Sequence, residues 1–116
     1  GGNVIYNCLK ELSNRNMIII NEVHILGGAV NNSNENWSTV KKSVKHNIFN
    51  YFSKKDKILK FAYSISTNDR FPIGRNKIDL KEIINLDVSN KVNGHMSFKK
   101  EYKNLIKSSI DYYNSN

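Results

Sequence analysis

The chain has 116 residues, with 18 Lys+Arg against 10 Asp+Glu and a formal charge of +8, a length that accommodates one small domain. An apolar content of 39% suffices for a packed core and excludes a disordered chain. No apolar run approaches the ~18–20 residues of a membrane span, and the first residues show no basic stretch followed by an apolar one.

Cys8 is the single cysteine; it excludes an intrachain disulfide and a Cys-based zinc site, and fits a reducing, intracellular compartment. Lysine supplies 15 of the 18 positive residues and asparagine fills 19 positions, while the only arginines are Arg15, Arg70 and Arg75. Phosphate-binding surfaces concentrate their charge and use Arg for bidentate geometry. Here the densest groups, Lys41, Lys42 and Lys45, then Lys54, Lys55, Lys57 and Lys60, read as solvated surface, so no nucleic acid is expected as a partner.

In chain order, Val4, Ile5, Cys8, Leu9 and Leu12 recur at three- and four-residue spacing and predict a helix that fades at Asn14–Asn16, with Cys8 packed on its apolar face. Met17–Ile20 and Val23–Leu26 make a nearly continuous apolar run closed by Gly27-Gly28, as in a strand buried on both faces. Asn31–Asn36 reads as a loop, and Trp37, Val40 and Val44 as a helix across Ser38–Lys45. Ile48, Phe49, Tyr51 and Phe52 form a second strand, with a polar turn at Ser53–Asp56. Ile58, Leu59, Phe61, Ala62 and Ile65 suggest a helix, Thr67–Lys77 an irregular connection, and Ile83, Ile84, Leu86 and Val88 a third strand. A loop carrying Gly94 and His95 leads to a closing helix from about Phe98 to Tyr112. Such alternation predicts an α/β layer with a parallel sheet and right-handed crossovers. Three strands leave two sheet edges, which suggests part of something larger.

Function in open α/β sheets gathers beyond the carboxyl ends of the strands. Gly1 and Gly2 at the start, Asp56 after the second strand and His95 after the third all fall there. A glycine pair opening a helix fits the position just after a G-x-S-x-G nucleophile elbow, and an acid followed by a histidine matches the chain order Ser…Asp…His. The rival acid is Asp87, eight residues before His95. His24 reads as a satisfied packing histidine and His46 as an exposed one. No His or Cys spacing suggests a metal site, and no cofactor is called for.

The segments Gly1–Leu12, Val23–Val30, Trp37, Asn50–Asp56, Pro72-Ile73-Gly74 and Asp87–His95 carry a resemblance. The chain resembles the lipase-like α/β-hydrolases that include transmembrane and coiled-coil domain-containing protein 4, a family largely labelled as of unknown function. It departs from them at Gly28, where proline is common. The resemblance implies that residues 1–113 are the C-terminal portion of an α/β-hydrolase domain, with 114–116 as a tail. It implies Gly1 as the last glycine of the elbow, the nucleophile serine two residues before it, Asp56 as triad acid and His95 as triad base. None of the twelve serines here lies in a G-x-S-x-G context, so the 116 residues alone are expected to be inactive. The implied partners are an ester or lipid substrate and the N-terminal half of the hydrolase domain, with membrane association through regions outside the chain. The alternative is a non-catalytic interaction or membrane-associated module of the same fold. The closing helix, apolar on one side and lysine-rich on the other, is expected to pack on the sheet, although a basic amphipathic helix also suits a membrane surface.

Overall fold

The computed structural model describes residues 2–63 and 72–116. Its elements are helix α1 (Gly2–Asn14), strand β1 (Val23–Leu26), helix α2 (Asn34–Lys41), strand β2 (Ile48–Phe52), a π-helical turn (Leu59–Tyr63), strand β3 (Ile83–Asp87) and helix α3 (Ser97–Ser115). The α/β alternation expected from the sequence is therefore present. Ile65 and the stretch from Thr67 to Phe71, expected to end a helix and begin an irregular connection, lie outside the described residues.

Helix α1 stops where the sequence turns polar, because Asn16 takes φ 55°. In that left-handed conformation Met17 N–H reaches Leu12 C=O and Asn16 N–H reaches Ser13 C=O, which satisfies carbonyls that the helix end leaves open. Asparagine is one of the few side chains that adopts this backbone at low cost.

The sheet has the order β1-β2-β3, all parallel, with Val23 opposite Ile48 and Ile48 opposite Ile83. This register makes side-chain parity continuous across the strands. Val23, Ile25, Ile48 and Ile83 face Leu9, Trp37 and Val40 from α1 and α2. Phe49 and Tyr51 face the opposite way, against Phe98 and Leu105 of α3. The result is a three-layer sandwich in which every residue of β2 is buried, the polar Asn50 included, as expected of a central parallel strand covered on both faces. Trp37 is fully enclosed, edge-on to Tyr6 at 5.4 Å, with its indole N–H donating to Asn31 C=O at 2.8 Å. Burying such a side chain stabilises by about 2–3 kcal/mol.

Several expectations need correction. The first strand is only Val23–Leu26; Ile18 and Ile19 are 65% and 63% exposed, and Ile20 makes an isolated bridge to Val44. The apolar run had outlasted the strand because no neighbouring strand pairs with its first half. Helix α2 starts at Asn34 and ends at Lys41, ahead of the expected span, because the Trp37 and Val40 face can seat only when the Asn/Ser segment winds up as its first turn. Cys8 is exposed, not packed: Ile5, Leu9 and Tyr6 supply the inner face of α1, and Val4 and Cys8 turn outward. Helix α3 continues through Ser115, so residues 114 and 115 extend the helix.

One polar pair sits inside the sheet. Asn50 donates to Asn76 C=O and to Asn85 Oδ1, and Asn85 in turn closes two hydrogen bonds with the backbone of Ile78. This ladder fastens the 76–78 segment over β2 and β3.

Candidate active site

The carboxyl ends of β2 and β3 release two loops that meet over the sheet. The first, Ser53–Asp56, leaves β2 and ends at Asp56, whose side chain is fully buried. Asp56 caps the turn immediately after it: Oδ1 accepts the Leu59 N–H at 2.9 Å, the arrangement of an acidic N-cap. Its other oxygen, Oδ2, lies 2.7 Å from His95 Nδ1. His95 comes from the second loop, between β3 and α3, and its side chain keeps 35% exposure. Phe98, the second residue of α3, stands edge-on to the imidazole with ring centroids 6.3 Å apart.

Ionised carboxylates only accept hydrogen bonds, so the short contact places the proton on His95 Nδ1. Nε2 then carries the lone pair. Among the described residues it has no hydrogen-bond partner, and His95 lines a cleft of about 680 Å³ together with Gly2, Leu26, Gly27, Phe98 and Tyr102. The first residues of both α1 and α3 form part of its wall, and Lys99 stands at the rim. Helix starts and a lysine both favour negative charge.

Close backbone approach builds this corner. Gly27, just past β1, has φ +60°, and a Cβ there would come 2.7 Å from the Phe98 ring. Gly74 packs so tightly that a Cβ would lie 2.5 Å from the Gly27 carbonyl carbon. Gly2 sits at the start of α1 against Gly28, where a Cβ would meet the Gly28 Cα at 2.9 Å. The helix opening thus rests directly on the turn that ends β1. Gly1, the other residue of the expected elbow remnant, lies outside the described residues.

The two loops are tied by a residue that sequence reasoning passed over. Ser53 is fully buried and donates its hydroxyl to Val92 C=O at 2.7 Å, while its own N–H reaches Gly74 C=O. One side chain thereby links the acid's loop to the histidine's loop, and its main chain links both to the 72–75 segment. Arg75 adds a bond from Nη1 to Asp56 C=O at 2.8 Å. The signal for Ser53 was a polar residue directly after a mostly apolar strand, which pattern reading assigns to a solvated turn.

Asp87 is not brought to His95. It ends β3 in an exposed position and accepts from the Ser89 hydroxyl at 2.6 Å and the Ser89 N–H at 3.0 Å. Its slight burial pushes the carboxyl up, but the two Ser89 bonds, with Lys54 and Lys77 nearby, outweigh that and hold it below the usual range.

His24 is occupied as a packing residue would be. Its ring stacks on Phe49 at 4.9 Å, Nδ1 meets the Tyr51 hydroxyl and Nε2 meets Glu22. Glu22 also accepts from the Tyr113 hydroxyl, which fastens the end of α3 to the start of β1. His46 is exposed, as expected. Among the described residues no group of three His, Cys, Asp or Glu could hold a metal ion, and no helix is long and apolar enough to cross a membrane.

Residues 1–111 match the family described as protein of unknown function DUF726, and the chain belongs to that family. It is 33% identical over 100 residues to the transmembrane and coiled-coil domain-containing protein STS1 of Oryza sativa subsp. japonica, covering 84% of this chain and 15% of that protein. It is 32% identical over 111 residues to an uncharacterized membrane protein of Caenorhabditis elegans, covering 91% of this chain and 18% of that one. A third relative, an uncharacterized membrane protein of Schizosaccharomyces pombe, is 29% identical over 109 residues, 91% of this chain and 14% of its own. The chain thus spans between 14% and 18% of the length of these relatives. No solved structure matches.

Proposed function

We propose that these residues are the acid–base half of a serine hydrolase with an α/β-hydrolase fold, whose nucleophile is supplied by a part of the polypeptide outside residues 1–116. The observation that carries this reading is the contact between His95 Nδ1 and the buried Asp56 Oδ2 at 2.7 Å, with Nε2 unpartnered among the described residues and His95 lining a cleft. Asp56 holds the ring in the tautomer that leaves Nε2 basic and stabilises the imidazolium once it forms. A serine Oγ attacks the ester carbonyl carbon and passes its proton to Nε2. Collapse of the tetrahedral intermediate breaks the ester bond, and the leaving alkoxide takes that proton. Water then repeats the sequence on the acyl-enzyme and frees the acid. The helix starts and Lys99 at the cleft favour the oxyanion that develops. The apolar wall of Leu26, Phe98 and Tyr102 suits an ester or lipid acyl chain, and the relatives' description as membrane proteins agrees with membrane association outside this chain.

The test is labelling of the full-length protein with a fluorophosphonate probe. Wild type is expected to be labelled at a serine, and His95→Ala to lose labelling while remaining folded. A well-folded full-length protein that takes up no probe, or a His95→Ala variant labelled at the wild-type rate, overturns the reading.

A further inference from the structure

His95 borders two clefts. The larger, beside Gly2, has a mostly apolar wall with Lys99 as its one lysine. The second, of about 340 Å³, shares only His95 and Met96 with the first, so these two residues form the ridge between them. Its wall includes Lys55, Lys57, Asn93 and Ser97 and no carboxylate. Ser97 opens α3, whose first turn carries no acid either. Lys55 and Lys57 are exposed and flank Asp56 in sequence, yet that carboxylate turns inward, to His95 and the Leu59 N–H. Among the described residues neither ammonium is within ion-pair distance of a carboxylate. Lys55 Nζ has a long contact to Asn93 Oδ1 at 3.5 Å, and the cations beside Asp87 are Lys54 and Lys77. Two like charges thus converge on one small cleft beside the imidazole, without a counter-charge of their own.

We infer that this second cleft is the subsite for the alcohol half of the ester, and that the alcohol carries an anionic group, a phosphate, held between Lys55 and Lys57. A serine beside Gly2, as the hydrolase mechanism requires, keeps the acyl group it bonds in the larger, apolar cleft. The alcohol that departs with the His95 proton falls to the other side of the ridge. A phosphate brings close to two negative charges and three acceptor oxygens, enough to meet both ammonium groups at once, with the Asn93 amide and the Ser97 hydroxyl as further donors. Lysine is a point charge on a flexible stem and does not fix an anion's orientation as a guanidinium does. The subsite therefore selects by charge more than by shape. Which half of the substrate binds here rests on the hydrolase reading; the charge of that half rests on the two lysines.

The test uses the full-length protein and soluble butanoate esters of glycerol 3-phosphate and of glycerol. At low salt kcat/KM is expected to favour the phosphorylated ester by about tenfold, as two exposed charge contacts allow, and the preference to shrink at about 0.5 M salt. Lys55→Gln combined with Lys57→Gln is expected to bring the ratio to within about twofold of unity. Equal rates with the two esters, or a preference that survives the double substitution, overturns the proposal. Calorimetric titration with glycerol 3-phosphate reads the same cleft without catalysis: wild type is expected to bind about tenfold more tightly than the double variant, and equal affinities overturn the proposal. Such binding in a protein that takes up no fluorophosphonate probe rejects the hydrolase and keeps the anionic subsite; probe labelling without a charge preference does the reverse. Either source of the phosphate satisfies the proposal: faster turnover of phosphatidylglycerol vesicles than of the soluble ester assigns it to a lipid headgroup, and the converse to a soluble ester.

Discussion

Replacing Asp56 with asparagine separates the proposed chemistry from the fold. The variant preserves side-chain volume and one oxygen, so the Leu59 N–H keeps its acceptor at the position now 2.9 Å away. What changes is the group facing His95. The amide NH₂ donates where a carboxylate accepted, so Nδ1 must become the acceptor and the ring proton moves to Nε2, pointing into the cleft. A base with its lone pair turned away cannot take the serine proton. Loss of the correct tautomer costs a serine hydrolase about 10⁴-fold in kcat, equivalent to about 5.5 kcal/mol of barrier. The fold loses one charge-assisted hydrogen bond, about 1.5–3 kcal/mol. The assay is ester turnover by the full-length protein, with folded fraction followed by urea denaturation. Asp87→Asn serves as the control, because among the described residues the Asp87 carboxylate bonds Ser89 alone, and should leave turnover within about threefold. A folded Asp56→Asn variant within about tenfold of wild type, or a larger loss from Asp87→Asn, would refute the reasoning.

Ser53→Ala leaves the buried Val92 carbonyl without its donor, which should cost about 1–3 kcal/mol and lower kcat at nearly constant KM as the two loops lose their tie; unchanged kcat per folded molecule would sink the positioning role. Gly27→Ala must hold a side chain at φ +60° and push a Cβ to 2.7 Å from the Phe98 ring; the sum is about 2–4 kcal/mol, read as a lower urea midpoint at unchanged slope, and a loss under 0.5 kcal/mol would contradict it. Alkaline stability should carry the signature of Tyr51. Burial pushes its hydroxyl up from 10.0 to about 12, with the Ser109 hydroxyl opposing and Glu22 and Tyr113 adding. The unfolded chain therefore releases this proton near pH 10 while the folded chain holds it, so the stabilisation is complete below pH 10. It declines as pH rises through the folded value, by about 2.7 kcal/mol in all once the pH is above 12. Tyr51→Phe should flatten that decline, and identical slopes for the two proteins would refute it.

The order of elements was legible because it is written in local pattern. The three- and four-residue spacing of Ile5, Leu9 and Leu12 and the cluster Ile48, Phe49, Tyr51 and Phe52 report a helix face and a central strand without reference to anything distant. Asp56 and His95 were legible by their place after successive strands, a consequence of parallel topology. What local pattern missed depends on partners far along the chain. Ile18 and Ile19 have the composition of a strand but no neighbour to pair with. Cys8 has the spacing of a core residue but points away from the layer that α1 meets.

By itself, then, the sequence determined the α/β alternation, the strand ends where polar residues collect, and the diffuse lysine charge. Only the tertiary structure decided that the Asp56 carboxylate is shut away from water and bonded to His95, that Asp87 is spent on Ser89, and that Ser53 joins the two loops. The Asp56–His95 and Ser53–Val92 contacts each join residues 39 apart in the chain. Side-chain composition records what a residue prefers to bury, whereas which atoms meet is set by how three strands register and where their loops return.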